Sequence, residues 1–355
     1  MSSFYRGARV AITGAAGTTG TELTHQLLGC GVDEIIAIDR HETNLFYLSE
    51  HHQDDPRFHA FACDVCDTRL LTRLLDGVDY LFHAAALKHV WACESNPREA
   101  VQTNIIAVQS VIDAAIDAKV RRVLFTSTDK AVNPTNVMGT SKLMGERLIT
   151  SAAALGRDGS STVFASTRFG NVLGSAGSVV PLFLKQLQKG GPITVTDPRM
   201  SRFVMTLEDA ILLVMKVMEQ FRSGEVFVTR MPVVLVSDLA RVMVEHIAPR
   251  FGYRSSEIKI QEIGKRPGEK LYEQLITAEE STRTLLTKEF LIVLPAFRSK
   301  FRNVDYYYGE TCGDPAESYD SHQIEPIEDG RILEMLKAPG VLPPDIASEL
   351  DEPLR

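Results

Sequence analysis

Through the first half of the chain, apolar runs of about five or six residues alternate with longer stretches in which apolar side chains recur every three or four positions. The short runs read as strands buried on both faces and the periodic stretches as amphipathic helices. Their alternation predicts a parallel sheet with helices packed on both sides. Strands are expected at 8–13, 34–39, 57–62, 80–84, 122–127 and 162–168, with helices between them at 19–28, 42–51, 67–75, 97–118 and 139–155. A later run at 224–229 is expected to return to the same sheet. After residue 169 the pattern loosens into loops rich in Gly and Pro, with helices at 180–188, 207–220 and 236–247. The fold class is therefore α/β, a doubly wound parallel sheet with a smaller C-terminal domain that closes over a ligand.

The turn after the first strand carries Gly14, Gly17 and Gly20 and opens directly into a helix. In that context Gly14 suits a tight turn, Gly17 close approach of a pyrophosphate, and Gly20 close contact of helix and sheet. The helix N-terminus then presents amides to the phosphates. Asp39 ends the second strand about twenty residues further on, where a ribose-binding acid is required. The arrangement is Rossmann-like and predicts bound NAD, while the neighbouring Arg40 leaves NADP as the alternative. Expected cofactor contacts also include Thr18 and Thr19 in the loop, Asp64 and Val65 at the end of the third strand, Ala84, Ala85 and Ala86 at the end of the fourth, and Asn104 and Ser127. On this basis residues 1–171 form the dinucleotide-binding domain, rejoined by 206–235. Residues 172–297 form the substrate-binding domain, and 298–355 an irregular wrap or oligomer contact.

With 355 residues and 44% hydrophobic content the chain has ample material for a core. Its 46 acidic against 38 basic side chains give a net charge of -8, and no Lys/Arg stripe tracks along it, which argues against nucleic acid. The longest apolar runs, such as 210–215, are too short to span a bilayer, and residues 1–7 lack the apolar core of a signal peptide. A cytoplasmic protein is expected. Five scattered cysteines fit a reducing compartment; Cys63 and Cys66 have redox or half-zinc spacing but no second pair, so structural thiols and no metal are expected. Tyr306, Tyr307 and Tyr308 read as packing or interface groups, as do His83 and His89 as core or supporting ones.

The reacting groups are expected just past the fifth strand, where Asp129 and Lys130 put an acid beside a base on the ligand edge of the sheet. Here the chain resembles the extended short-chain dehydrogenase/reductases, and within them the capsular-polysaccharide type of UDP-N-acetylglucosamine 4,6-dehydratases. The resemblance runs from about residue 10 to 277. It rests on Ala-Ala-Ala-Leu-Lys-His-Val at 84–90, Ser-Thr-Asp-Lys-Ala-Val-Asn-Pro-Thr-Asn-Val-Met-Gly at 127–139, Arg-Phe-Gly-Asn-Val-Leu-Gly-Ser at 168–175, and Arg-Pro-Gly-Glu-Lys at 266–270.

The superfamily's general pattern places a Tyr four residues before a Lys, and here the pair is Met138 and Lys142. A thioether has no titratable proton, so Met138 is not the base for the sugar hydroxyl. That proton falls to Asp129, to Lys130 or to a water that one of them orients. Lys142 remains suited to the nicotinamide ribose. The resemblance implies C4 oxidation, loss of water across C5 and C6, and return of the hydride to C6. Lys130 is then the base at C5, Asp129 the acid at O6, and Thr128 or Ser127 a hydrogen-bond donor at the C4 oxygen. Substrate contacts are expected from Asn171, Lys88, Arg202, Arg266 and Glu269, which suit a nucleotide diphosphate and its ribose. The expected partner is a nucleotide sugar, UDP-N-acetylglucosamine first, and a homo-oligomer is the superfamily habit. Two other readings stay open: a nucleotide-sugar 4-epimerase, and a regulatory protein that kept the NAD fold without catalysis.

Overall fold

In the computed structural model, residues 3–154, 162–301, 303–313 and 318–350 are described. The chain divides into two compact units. The first comprises Met1–Phe169, Ile211–Thr229 and Ile276–Ser318, and the second Gly170–Ala210, Arg230–Leu275 and Tyr319–Arg355.

The first unit is built on a nine-stranded sheet. Its strands are β1 (Arg9–Thr13), β2 (Glu34–Asp39), β3 (Phe58–Ala62), β4 (Tyr80–His83), β5 (Arg122–Thr128), β6 (Val163–Phe169), β7 (Val226–Thr229), β8 (Thr284–Leu286) and β9 (Phe290–Val293). Their order is β8-β9-β7-β6-β5-β4-β1-β2-β3. The seven strands from β3 to β7 run parallel, as near-continuous apolar runs demand when both faces are covered. Because β1 lies between β2 and β4, the strand order reverses beside the glycine turn, where open α/β sheets leave a crevice at their carboxyl ends.

The helices are α1 (Thr18–Gly29), α2 (Glu42–His51), α3 (Thr68–Leu74), α4 (Val90–Ser95), α5 (Pro97–Val101), α6 (Ala107–Asp117) and α7 (Val137–Ala154). One face of the sheet forms a core in which Ala11, Ile36, Leu81, Val123 and Phe125 meet apolar side chains of α3, α6 and α7. The expected helix 97–118 is α5 and α6 joined by a π-turn at Gln102–Ile106. Residue 155, expected to end α7, lies outside the described residues.

Two expectations need correction. The stretch 172–297 does not fall wholly in the smaller unit, because β8 and β9 extend the large sheet. β9 pairs antiparallel with β7, and β8 with β9. Strands of three and four residues carry too few positions to show a period in the sequence, although all four residues of β9 are buried. The tail is not simply irregular either. Tyr306 and Tyr308 pack onto the start of β7, Tyr306 donating to the Ser223 carbonyl at 2.8 Å and Tyr308 to Glu225, while Tyr307 is exposed. Beyond them, Asp329–Lys337 and Pro344–Glu349 are helical. Residues 302, 314–317 and 351–355 of that expected extension lie outside the described residues.

The second unit has its own core. A three-stranded sheet orders Val233–Leu235, Ser201–Met205 and Asn171–Val172, and Ile260–Glu262 pairs with Ile193–Val195. Phe183, Leu187, Leu239, Met243 and Leu336 pack together, so the helix Asp329–Lys337 belongs to this core. Among the described residues no helix is long and apolar enough to cross a membrane.

Ile292 of β9 is fully buried. Truncating it removes apolar contact that surrounding strands cannot refill, so Ile292→Ala is expected to lower the unfolding free energy by about 2–5 kcal/mol in denaturant titration.

Candidate active site

The glycine turn is shaped by contacts no side chain would survive. Gly14 has φ +72°, and a Cβ there would lie 2.6 Å from the Ala85 nitrogen, so the turn presses directly on the segment after β4. A Cβ on Gly20 would lie 2.3 Å from the Gly14 carbonyl, which fixes how closely α1 enters the turn. Gly17 meets only that same oxygen, at 3.3 Å, and caps α1 without a side-chain hydrogen bond. Gly17, lacking a side chain, offers none to cap the first turn of α1.

Asp39 holds the turn from the end of β2. Its Oδ2 accepts from the Ala16 amide at 3.0 Å and its Oδ1 from the His41 amide at 2.9 Å. Arg40 and Asp64 form an open ion pair of 3.9 Å, both about half exposed. Asp64 also accepts from the Cys66 amide at 2.9 Å, and Val65 is buried. Burial pushes the Cys63 thiol up to about 11, and it also raises the thiol of Cys66, so both are held as neutral thiols.

Ala84, Ala85 and Ala86 line the exit of β4 and are half-buried. Asn104, an expected cofactor contact, is instead spent within the protein. Its Oδ1 accepts from the Leu87 amide at 2.8 Å, and its Nδ2 donates to the Leu87 carbonyl and to Ser141 Oγ, each at 2.9 Å. The π-turn that carries it therefore braces the segment 84–88 against α7. Lys88 at the end of that segment is exposed, as is His89.

The carboxyl end of β5 carries the titratable cluster. Ser127 Oγ is buried with no hydrogen-bond partner. Asp129 is fully buried, and its Oδ1 accepts from Lys130 Nζ at 2.9 Å and from Thr128 Oγ1 at 2.8 Å. Its Oδ2 has no hydrogen-bond partner. A carboxylate with one oxygen clamped and the other unengaged is costly to bury unless a ligand group or water completes it.

Helix α7 packs against this cluster. Asn136 starts it, accepting from the Gly139 amide at 2.8 Å in an N-cap bond. A Cβ on Gly139 would lie 2.2 Å from the Lys130 carbonyl, so the glycine admits the helix to backbone contact with the Asp129–Lys130 turn. Met138 is 3% exposed and packs with Cys93 and Ala100, with its thioether inside a small apolar cluster. One turn later Lys142 is buried, its Nζ donating to the Thr126 carbonyl at 2.9 Å and lying 4.4 Å from the Phe125 ring centroid. Burial brings its pKa down to about 7, against the opposing charge of Glu146.

In the second unit, Asn171 is half-buried at the start of its short strand. Arg202 does not present a free fork. It donates to the carbonyls of Ser201 at 2.8 Å, Lys270 at 2.9 Å and Leu271 at 3.3 Å, and thereby pins the segment 266–271 to its strand. Glu269 accepts from the Arg266 amide at 3.1 Å, closing the same turn, and the Arg266 side chain is exposed.

Two groups of polar residues at this end of the sheet escape sequence reasoning. Thr13 Oγ1 and His83 Nδ1 are 2.6 Å apart, joining the glycine turn to β4, and His83 Nε2 is buried without a partner. Arg168 is paired with Glu146 and Glu280, the latter 112 positions away in the chain. The four-residue step from Lys142 to Glu146 on one helix was the available signal for that pair; nothing in the sequence joins 168 to 280.

The sheet order and glycine turn recur in solved structures. The X-ray structure of Pen from Bacillus thuringiensis matches with a TM-score of 0.86 at 37% identity, over 94% of this chain and 98% of that one. DesIV, a dTDP-glucose 4,6-dehydratase of Streptomyces venezuelae solved with NAD bound, matches with a TM-score of 0.66 over 74% of this chain and 86% of that one; at 24% identity it bears on the fold alone.

Residues 10–295 match the polysaccharide biosynthesis protein family, and the chain belongs to it. An uncharacterized membrane protein of Methanocaldococcus jannaschii is 45% identical over 295 residues, 83% of this chain and 88% of that one. A UDP-glucose 4-epimerase of Rickettsia canadensis is 39% identical over 279 residues, 77% and 78% of the two chains.

Burial, and secondarily the charge of Lys142, lower the His83 pKa from 6.5 to about 3. Between those values only the unfolded chain takes up the proton, so this contribution to stability is whole above pH 6.5 and is lost as pH falls toward 3. The unfolding free energy of the wild type should decline across that window, and His83→Asn should flatten that part of the slope; an unchanged slope would contradict the burial of a neutral imidazole.

Proposed function

We propose that the chain is a nucleotide-sugar 4,6-dehydratase acting on UDP-N-acetylglucosamine, with NAD as its resident cofactor. The observation that carries this reading is the buried Asp129, bound to Lys130 and Thr128 through one oxygen and unengaged at the other, beside a helix whose expected phenol is Met138.

The residues present fit the cofactor. The α1 amides at Thr18 and Thr19 suit the pyrophosphate, and Gly17 leaves room for it. Asp39 has lone pairs left for ribose hydroxyls, and its charge favours NAD over NADP, with Arg40 the group that would admit the extra phosphate. Asp64 and Val65 suit the adenine edge, and Ala84 to Ala86, Ser127 and Lys142 the nicotinamide half. Asn104 serves this site through Leu87. Bound NAD supplies a hydride acceptor at the sugar C4 and a hydride donor at C6.

The proton work belongs to the protein. Asp129 takes the 4-hydroxyl proton on Oδ2, and Ser127 Oγ, or Thr128 Oγ1 once its hydroxyl turns from Asp129, donates to the C4 oxygen as it becomes a ketone. The ketone acidifies the C5 proton, which Lys130 removes as the amine. Asp129 then gives its proton to the leaving O6, so that water departs. Lys130 returns the proton to C5 as hydride reaches C6, and both side chains end as they began. Met138 contributes apolar shape and takes no proton. In the second unit, Arg202 and Glu269 order the 266–271 segment, and Asn171 and Arg266 are proposed polar contacts for a nucleotide diphosphate; Lys88 is proposed as such a contact from its place in the sequence alone.

The name of the Rickettsia relative favours a second reading, a 4-epimerase, which needs no acid/base pair at C5 and C6. Product mass separates them: a dehydratase product is lighter by one water, an epimerase product unchanged. In deuterated water the dehydratase also places deuterium at C5. Lys130→Ala is expected to abolish product while NAD stays bound, and Asp129→Asn to slow turnover by roughly 10²–10⁴-fold. Wild-type rates in both variants would remove the pair from the mechanism, and substrate left unchanged by the wild type would leave an NAD-binding protein without turnover.

A further inference from the structure

Thr13, His83 and Phe125 are register neighbours on β1, β4 and β5, so their side chains stand side by side on one face of the sheet. All three are fully buried. Thr13 Oγ1 lies 2.6 Å from His83 Nδ1, and the imidazole stacks on the Phe125 ring with 5.6 Å between centroids and 29° between planes. Lys142 Nζ in turn lies 4.4 Å from the Phe125 centroid. A contiguous row of contacts thus runs from the residue before Gly14 to the amine on α7. The strands are tied at the same level, the Ala84 amide donating to the Thr13 carbonyl at 3.0 Å and Thr126 Oγ1 to the His83 carbonyl at 3.3 Å.

Counting protons in this row selects one tautomer of His83. With the proton on Nδ1, that nitrogen would donate to Thr13 Oγ1; among the described residues the buried hydroxyl proton would then lack an acceptor and the Nε2 lone pair a donor. With the proton on Nε2, the Thr13 hydroxyl donates to Nδ1 and only the Nε2–H goes unmatched. Unmatched buried groups are costly, so the arrangement with one is favoured over the arrangement with two. An imidazolium is disfavoured as well: burial, and after it the charge of Lys142, brings the His83 pKa down to about 3.

We infer that His83 is a positioning residue for the cofactor: as the Nε2–H tautomer it takes the Thr13 hydroxyl proton on Nδ1, holds the Gly14 turn against β4, and with Phe125 sets the spacing between that turn and Lys142. The inference rests on the reading that NAD binds with its pyrophosphate at the glycine turn and its nicotinamide ribose at Lys142. One ligand then spans two sites, and a close-packed row between them fixes the distance it has to span before it arrives. A neutral ring suits this task, since an imidazolium would repel the Lys142 ammonium and could not accept on Nδ1.

NMR of full-length protein labelled with [15N]histidine tests this, the His83 ring signals being assigned by their loss in His83→Asn. The wild type should show a protonated Nε2 and a bare, hydrogen-bonded Nδ1, unchanged from pH 8 down to about pH 5, two units above the pKa of about 3. Thr13→Val removes the hydroxyl at nearly constant volume. Its Nδ1 signal should move as the hydrogen bond is lost, and calorimetric titration with NAD should show Kd raised roughly 3–10-fold. Thr13→Ser should restore both. Should Thr13→Val fail to fold, Thr13→Ala carries the same two expectations, and the wild-type spectrum still decides the tautomer. A wild-type ring protonated on Nδ1, or hydroxyl-free variants that bind NAD as tightly as the wild type, would overturn the proposal. A wild type with the expected tautomer that binds no NAD would instead sink the cofactor reading, and with it the task given to His83, while the hydrogen-bonded row stands.

Discussion

Backbone contact between α7 and the turn after β5 is the constraint on which the rest of this site depends. Gly139 has no room for a side chain against the Lys130 carbonyl, and a Cβ on Gly145 would lie 2.8 Å from the Phe125 ring. With those two glycines in place the helix lies directly on the strand. Met138, Lys142 and Glu146, each four residues apart, then fall in one row, with Lys142 against β5, Glu146 against Arg168 of β6 and Met138 against α4 and α5. Any added side chain at either glycine would lift the whole row away from Asp129 and Lys130.

That close seating explains why so much polarity is tolerated inside. Lys142, Asp129, His83 and Arg168 are all nearly inaccessible, and each would be costly alone. Arg168 is balanced by Glu146 and Glu280 on neighbouring elements, Lys142 donates to the Thr126 carbonyl of β5, and His83 is kept neutral. Among the buried polar atoms left without a partner, Ser127 Oγ, Asp129 Oδ2 and His83 Nε2 lie at the carboxyl ends of β4 and β5, while others, such as Arg122 Nε and Thr167 Oγ1, lie elsewhere. A buried polar group without a partner is costly, and water or a bound group is the usual way that cost is met.

Several polar residues in this site act through others. Asn104 looks like a ligand contact in a list of residues, yet its amide is consumed in holding Leu87 and Ser141. Arg202 is likewise consumed in ordering backbone. Both show why a polar residue near a motif is a weaker argument than the direction of its hydrogen bonds. A substitution at either would release the backbone segment it holds.

The sequence by itself determined the parallel α/β architecture, the glycine turn, Asp39 at the end of β2, and the absence of a phenol before Lys142. These are local properties: apolar periodicity, turn chemistry and residue identity are written in consecutive positions. The strands β8 and β9 escaped because three or four residues carry too little period to read, and their pairing with β7 is decided by contacts distant in the chain. The union of Arg168 with Glu280 and the burial of Lys142 and Asp129 were also decided only by tertiary structure. Each depends on which elements the sheet order brings side by side, and a burial energy exists only once they meet.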